Sequence, residues 1–259
     1  MSDNFIKIDS RLLKKISQRN FFFNIHSKYK NTINLQNKNG KIFVCLSNSN
    51  FAGPHRININ NFLSFFDCEQ INSKISLFCD TDKLFINNFT FEFSNLEVVD
   101  VSLRKFTDFE KENLFFNRSK LREFFLEKYF IDFENDVIYK KIFEILKHSK
   151  NNINFLINLI GLGYGLTPSG DDILLGFIIF SHIRNKIQSL NFLKEHFYKT
   201  NQISQFYLFN AFQKYFDELI LNFIYSLTEK DFNNNYYNIL LNYGHTSGKD
   251  ILCGFFYYD

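Results

Sequence analysis

Two stretches of this chain repeat one another in residue types suited to holding a small anion. Gly165-Leu166-Thr167-Pro168-Ser169-Gly170-Asp171-Asp172-Ile173-Leu174-Leu175-Gly176-Phe177 returns as Gly244-His245-Thr246-Ser247-Gly248-Lys249-Asp250-Ile251-Leu252-Cys253-Gly254-Phe255. With Pro168 skipped, Gly, Thr, Ser, Gly, Asp, Ile, Leu, Gly and Phe coincide. Of ten glycines, eight (161, 163, 165, 170, 176, 244, 248 and 254) lie in or just before these stretches. Backbone freedom is therefore concentrated at two turns. The hydroxyls of Thr167, Ser169, Thr246 and Ser247, the glycine backbone at Gly163, Gly165, Gly170 and Gly248, and the open N–H groups of a helix start make a cradle for phosphate or carboxylate. Asp171 makes one turn acidic where Lys249 makes the other basic, which would orient the ligand.

Ser169 with Asp172, and Ser247 with Asp250, read as two S-x-x-D capping boxes, with Pro168 suited to a first helical position. Both helices are expected to begin at these serines. Capping alone is the competing account of these four residues. His245 is placed either to give a proton to a leaving phosphate or to make a structural loop bond. With Asp172 and Asp250 it completes the candidate catalytic set. Asp171, Asp172 and Asp250 also offer a Mg²⁺ reading, although the helix dipole alone would favour carboxylates there, and no metal ligands are assigned. Gly176 and Gly254 follow the matching Asp by one helical turn and are expected to let the helices pack closely, bringing both starts to one cleft.

Other chemistries find less support. The turns lack the Lys-Ser or Lys-Thr of a Walker A loop, Gly161-x-Gly163-x-Gly165 has the wrong spacing for a dinucleotide turn, and no G-x-S-x-G is present. Cys45, Cys68, Cys79 and Cys253 show no CxxC spacing and read as reduced core residues. Gly53-Pro54-His55-Arg56 reads as a turn between strands, with His55 and Arg56 as an alternative anion clamp.

The elements that position these residues change in character along the chain. Runs at 21–25, 32–35, 41–46, 56–59, 75–79, 83–86, 89–93 and 97–103 are apolar or alternating and are separated by turn residues, Lys38-Asn39-Gly40 being a good hairpin signal. From about residue 107 the apolar spacing becomes helical, over 118–129, 136–149, 153–160, 172–188, 190–198, 203–227, 232–243 and 248–257. The fold class expected is α+β: a β-rich, antiparallel, barrel-like unit at 1–106, then a mostly helical unit at 107–259 carrying both turns. A net charge of +3 with no basic stripe argues against nucleic acid. No stretch reaches the ~18 apolar residues of a membrane span, and the N-terminus lacks a secretory apolar run, so the expected location is the cytoplasm.

Gly161-x-Gly163-x-Gly165-Leu-Thr-Pro-Ser-Gly-Asp-Asp172 together with Gly244-His-Thr-Ser-Gly-x-Asp250 resembles the AllH-like family, whose best-known members are a subunit of oxamate carbamoyltransferase in bacterial ureide breakdown. Outside the helical half the resemblance rests on Gly53-Pro54. It implies transfer of a carbamoyl group between carbamoyl phosphate and oxamate, in an assembly with FdrA-like and AllG-like subunits. Both substrates are small anions. A non-catalytic binding or scaffold subunit is the second reading, with Phe255, Phe256, Tyr257 and Tyr258 as interface or as core.

Overall fold

Short alternating runs can bury one face only by pairing into a sheet. The computed structural model describes residues 6–18, 20–38, 40, 43–60 and 74–258, in two units, Met1–Ser102 and Leu103–Asp259. In the first unit β1 (Ile6–Asp9), β2 (Phe21–Tyr29), β3 (Thr32–Asn37), β4 (Phe43–Ser47), β5 (Arg56–Ile59), β6 (Lys74–Asp80), β7 (Lys83–Ile86), β8 (Phe89–Glu92) and β9 (Leu96–Val99) form one barrel-like, nearly closed sheet. Their order is β8-β7-β6-β2-β3-β4-β5-β1-β9. Pairing is antiparallel as expected, with two parallel pairs added, β4 with β5 and β1 with β9. Every run read as a strand is one, within a few residues. β1 and the short helix α1 (Ser10–Ile16) have no counterpart in the sequence reading, because a strand of four residues carries too little alternation to register. The hairpin signal at Asn39 and the thiol of Cys68 lie outside the described residues.

Alternate residues such as Ile6, Ile8, Phe23, Leu35, Ile57 and Leu77 fill the interior, and α1 adds Leu12 and Ile16 to it. Asp9 ends β1 and caps α1, its buried carboxylate accepting from the Arg11 amide at 3.0 Å and the His55 amide at 2.8 Å. His55 stands at φ 51 and its Nδ1 donates to the Phe43 carbonyl at 3.1 Å. Burial, with the charges of Lys15 and Arg11, brings its pKa down to about 3. The ring is therefore neutral, and Nε2 is free to accept from Lys15 Nζ at 2.9 Å. Arg56 Nη1 donates to the Phe51 carbonyl at 3.3 Å. The suspected anion clamp is thus bonded within the β unit, in the connection between the parallel strands β4 and β5.

The second unit holds α2 (Asp108–Asp132), α3 (Val137–Ser149), α4 (Ser169–Ile183), α5 (Gln202–Phe212), α6 (Glu218–Ser226), α7 (Asn235–Leu241) and α8 (Ser247–Tyr257), with 3₁₀ segments at Ile153–Leu159 and Ile187–Lys199. The expected helix at 203–227 is two helices, broken near Lys214 at φ 69. α2 starts directly after Thr107. There Thr107 and Glu110 make a full capping box. Every residue of α4 except Leu175 is buried, which makes it the central helix its all-round apolar sequence requires. Arg118 of α2 closes the far end of α8, donating to the carbonyls of Phe255 (3.0 Å), Phe256 (2.9 Å) and Tyr258. A cation on the last carbonyls satisfies them and complements the helix dipole. Phe255 and Phe256 are core, not interface.

Candidate functional site

The repeated helices cross where both carry glycine. A Cβ on Gly176 would lie 2.1 Å from the Ile251 carbonyl oxygen, and one on Gly254 would lie 1.9 Å from that of Ile173. Ile173 and Ile251, like Gly176 and Gly254, are partners in the sequence repeat. α4 and α8 therefore meet backbone to backbone in a reciprocal, pseudo-twofold arrangement. The relation extends to the next pair: a Cβ on Gly170 would meet the Leu159 oxygen at 2.0 Å, and one on Gly248 the Leu240 oxygen at 1.7 Å. Each helix start is thereby wedged under the last turn of the segment before it.

The crossing brings both helix starts to one cleft of about 370 Å³, lined by residues that include Tyr139, Gly163, Tyr164, Gly165, Thr167, Ser169, His245, Thr246 and Ser247. The helices do begin at Ser169 and Ser247, but the capping boxes do not form. Pro168 and Thr246 occupy the cap positions, and neither helix has a side-chain cap. The hydroxyls and carboxylates serve the opposite motif instead. The Ser247 hydroxyl stands beside Asp172 and the Ser169 hydroxyl beside Asp250, each holding that carboxyl's pKa down against burial, as does the Thr of the Asp's own turn, Thr167 or Thr246. Thr167 Oγ1 and Ser247 Oγ lie 3.4 Å apart across the junction. Asp is one methylene shorter than the Glu of the working box at Thr107, and its reach favours the neighbouring helix.

The open-amide account of the cradle needs revision. The Gly170 N–H donates to the Leu162 carbonyl at 2.8 Å and the Gly248 N–H to that of Tyr243 at 3.0 Å. Those two amides hold the turns together, and neither glycine lines the cleft. What the cleft presents is mainly hydroxyl groups, with the Asp136 carboxylate and the His245 ring beside them. Gly163 and Gly165 have φ of 125 and 92, values only glycine adopts without strain, and their loop carries Tyr164 at the rim, 83% exposed.

Asp172 and Asp250 lie behind the hydroxyls. Burial pushes the Asp172 carboxyl well above its usual range, Asp250 and Asp171 adding to the effect, and its Oδ2 has no hydrogen-bond partner. A buried carboxylate oxygen without a partner is costly, so the acid form is favoured. Burial also raises Asp250, to about 6, against donors that include two tyrosines the sequence reading did not single out. Tyr129 of α2 donates to Oδ1 at 2.5 Å, and Tyr139 of α3 reaches both oxygens at 3.0 Å. No spacing signal could have marked them, because a tyrosine on an apolar helical face reads as core.

These observations meet the comparisons with known proteins. Residues 159–258 match the family model described as oxamate carbamoyltransferase subunit AllH, and residues 4–98 match the AllH family N-terminal domain. The chain belongs to the AllH family. No curated protein and no solved structure matches it. The second match extends the resemblance well beyond Gly53-Pro54, to nearly the whole β unit. Both turns and the glycine crossing fall inside the AllH match.

Besides Gly170, Gly248 and Asp250, three more candidate residues of this AllH chain stand apart from the cleft lining. Asp171 is buried, its oxygens taken by the Gly161 N–H at 2.8 Å and the Thr200 hydroxyl. Lys249 pairs with Asp132 at 3.6 Å and lies over the Phe133 ring. Asp172 is reached only through its hydroxyl partners. His245 lines the rim and is exposed. Among the described residues no three His, Cys, Asp or Glu side chains gather as metal ligands. Asp171 ties the Gly161 loop to residue 200, so Asp171→Ala is expected to cost about 2–3 kcal/mol, the loss of buried hydrogen bonds to a charged group. Urea denaturation followed by helical circular dichroism measures this, and a wild-type midpoint would show that the tie contributes nothing.

Proposed function

We propose that this chain acts as a subunit of an oxamate carbamoyltransferase-like enzyme and takes a small anion, carbamoyl phosphate, oxamate or phosphate, in the cleft between its two turns. The observation that carries the reading is the meeting of Thr167, Ser169, Thr246 and Ser247 at one cleft, each Ser backed by the Asp of the opposite turn and each Thr by that of its own. With Asp172 protonated, the hydroxyls beside it are not spent on a carboxylate and are available to an incoming oxyanion. Preorganised donors of this kind stabilise charge that grows on a transferring group. Ser169 and Ser247 bind, Thr167 and Thr246 orient, and His245 at the rim gives a proton to the departing phosphate.

Partner subunits of FdrA-like and AllG-like type belong to the same proposal. It draws support from α2, where Phe109, Phe116, Phe124 and Ile131 are each at least 59% exposed. At about 100° per residue they share an arc of about 80°, an apolar stripe on one helix face. Such a stripe fits a helix or sheet from another chain better than it fits water. Among the described residues no helix is long and apolar enough to cross a membrane, so the stripe does not belong to a spanning helix.

Thermal-shift titration tests the binding step. Phosphate, carbamoyl phosphate, oxamate and oxalurate are added with and without Mg²⁺, and at least one anion is expected to raise the melting temperature. Ser169→Phe and Ser247→Phe, which fill the cleft from its floor, are expected to remove the shift. No response of the wild-type chain to any of the four anions would refute the reading.

A further inference from the structure

We propose that Ser169, Tyr139 and Asp250 form a proton relay that takes the proton released by the acceptor nitrogen during carbamoyl transfer and stores it on Asp250. The proposal rests on the functional reading above and adds a base to it. Ser169 Oγ lines the cleft and lies 3.0 Å from Tyr139 Oη, which lies 3.0 Å from both oxygens of Asp250. Three oxygens thus connect the cleft to a fully buried carboxylate in hydrogen-bonding steps, all carried by rigid helices. At rest Tyr139 donates to Asp250 and Ser169 donates to Tyr139. The lone pairs of Ser169 are left to accept from the cleft.

In the step itself, a bond forms between the acceptor amide nitrogen and the carbamoyl carbon, and the bond from that carbon to the phosphate oxygen breaks, its electron pair leaving with phosphate. The nitrogen's proton passes to Ser169 Oγ as the Ser169 proton moves to Tyr139 and the Tyr139 proton to Asp250. Each hydroxyl ends neutral and Asp250 ends as the acid. Neither hydroxyl has to ionise, which matters for Tyr139, whose pKa burial and the Asp250 charge push well up.

The two turns differ in a way that selects Asp250 over Asp172. Asp172 has Oδ2 without a partner, whereas Asp250 has tyrosine donors from α2 and α3. The groups facing Asp250 are Tyr129 on α2, Tyr139 on α3, Asp172 on α4 and Cys253 on its own helix, and none of them is a cation. Burial against those donors sets its pKa at about 6, a value that suits a base working near neutral pH.

The test uses the assembled enzyme copurified with its partner chains, with carbamoyl phosphate and oxamate as substrates and kcat followed from pH 5 to 9. The wild type is expected to lose rate below a pH near that of Asp250. Tyr139→Phe is expected to lower kcat by about 100-fold and flatten the acid limb, with KM for carbamoyl phosphate held within about 3-fold. Tyr129→Phe, which removes a donor to Asp250 but leaves the relay whole, moves the limb to higher pH instead. Ser169→Ala repeats the Tyr139→Phe loss of kcat without disturbing a buried ring, which covers the case of a Tyr139 variant that fails to fold. Unchanged kcat and acid limb in Tyr139→Phe, or identical profiles for the two tyrosine variants, overturns the relay while leaving anion binding intact. Absence of any shift in the wild-type melting temperature with phosphate, carbamoyl phosphate, oxamate or oxalurate overturns the functional reading, and the relay with it.

Discussion

Gly254→Ala and Gly176→Ala are each expected to cost at least about 3 kcal/mol, a large loss for a single methyl. The added carbon would sit 1.9 Å from the Ile173 oxygen in one variant and 2.1 Å from the Ile251 oxygen in the other. Neither contact is with a side chain that can swing aside. The helices must separate, and separation undoes the packing of α4, the most deeply buried helix of its unit. It also parts Thr167 from Ser247, so the anion-induced melting shift is expected to vanish with the stability. Gly165→Ala supplies the contrast. Its Cβ would meet nothing within 4 Å, but φ is 92, so the cost is conformational and about 1 kcal/mol. The chain has no tryptophan, so urea melts are best followed by helical circular dichroism. Wild-type midpoints in both crossing variants would mean that the helices are not held at the distance described.

The second large effect concerns pH. Asp250 has its folded pKa raised to about 6 from a reference of 3.8, so folding favours its protonated form. Stability from this group is full below pH 3.8 and is lost as pH rises through about 6. Two units correspond to about 3 kcal/mol. Asp171 and Asp172 shift in the same direction. Buried His182, lowered to about 4, works the other way, since its stabilisation is present above the ordinary histidine range and fades as pH falls. The wild-type profile therefore mixes opposed terms, and the informative quantity is a difference. The stability of Asp250→Asn relative to wild type is expected to rise by about 3 kcal/mol between pH 4 and pH 8, because the amide cannot ionise. A difference that stays flat or falls over that range would show that Asp250 enters the fold already ionised.

Much of the site was legible because its signals are local. Glycines rationed to two turns, a matching Thr-Ser-Gly-Asp order and a Gly one helical turn beyond each Asp mark two equivalent helices that must approach closely. No comparable local signal marks Tyr129 and Tyr139, which come from helices more than a hundred residues before Asp250. Capping was the reasonable local expectation for Ser169 and Ser247. It failed because a capping box is a competition: the Asp carboxylate can serve its own helix start or a neighbour's, and only the neighbour's position decides. The true box, at Thr107 and Glu110, has no second helix start competing for it.

From the residues alone, the chain's division into a β-rich part and a helical part, the two helix starts at Ser169 and Ser247 and the buried α4 could be derived, because periodicity and glycine placement act over a few residues. The tertiary structure alone decided that Gly170 and Gly248 spend their amides on loop carbonyls, that Asp171 secures a loop, and that Asp172 and Asp250 exchange partners across the crossing. Each of these depends on which groups a buried polar atom can reach once the helices have packed. Reach across a helix crossing is set by backbone contact between segments distant in sequence.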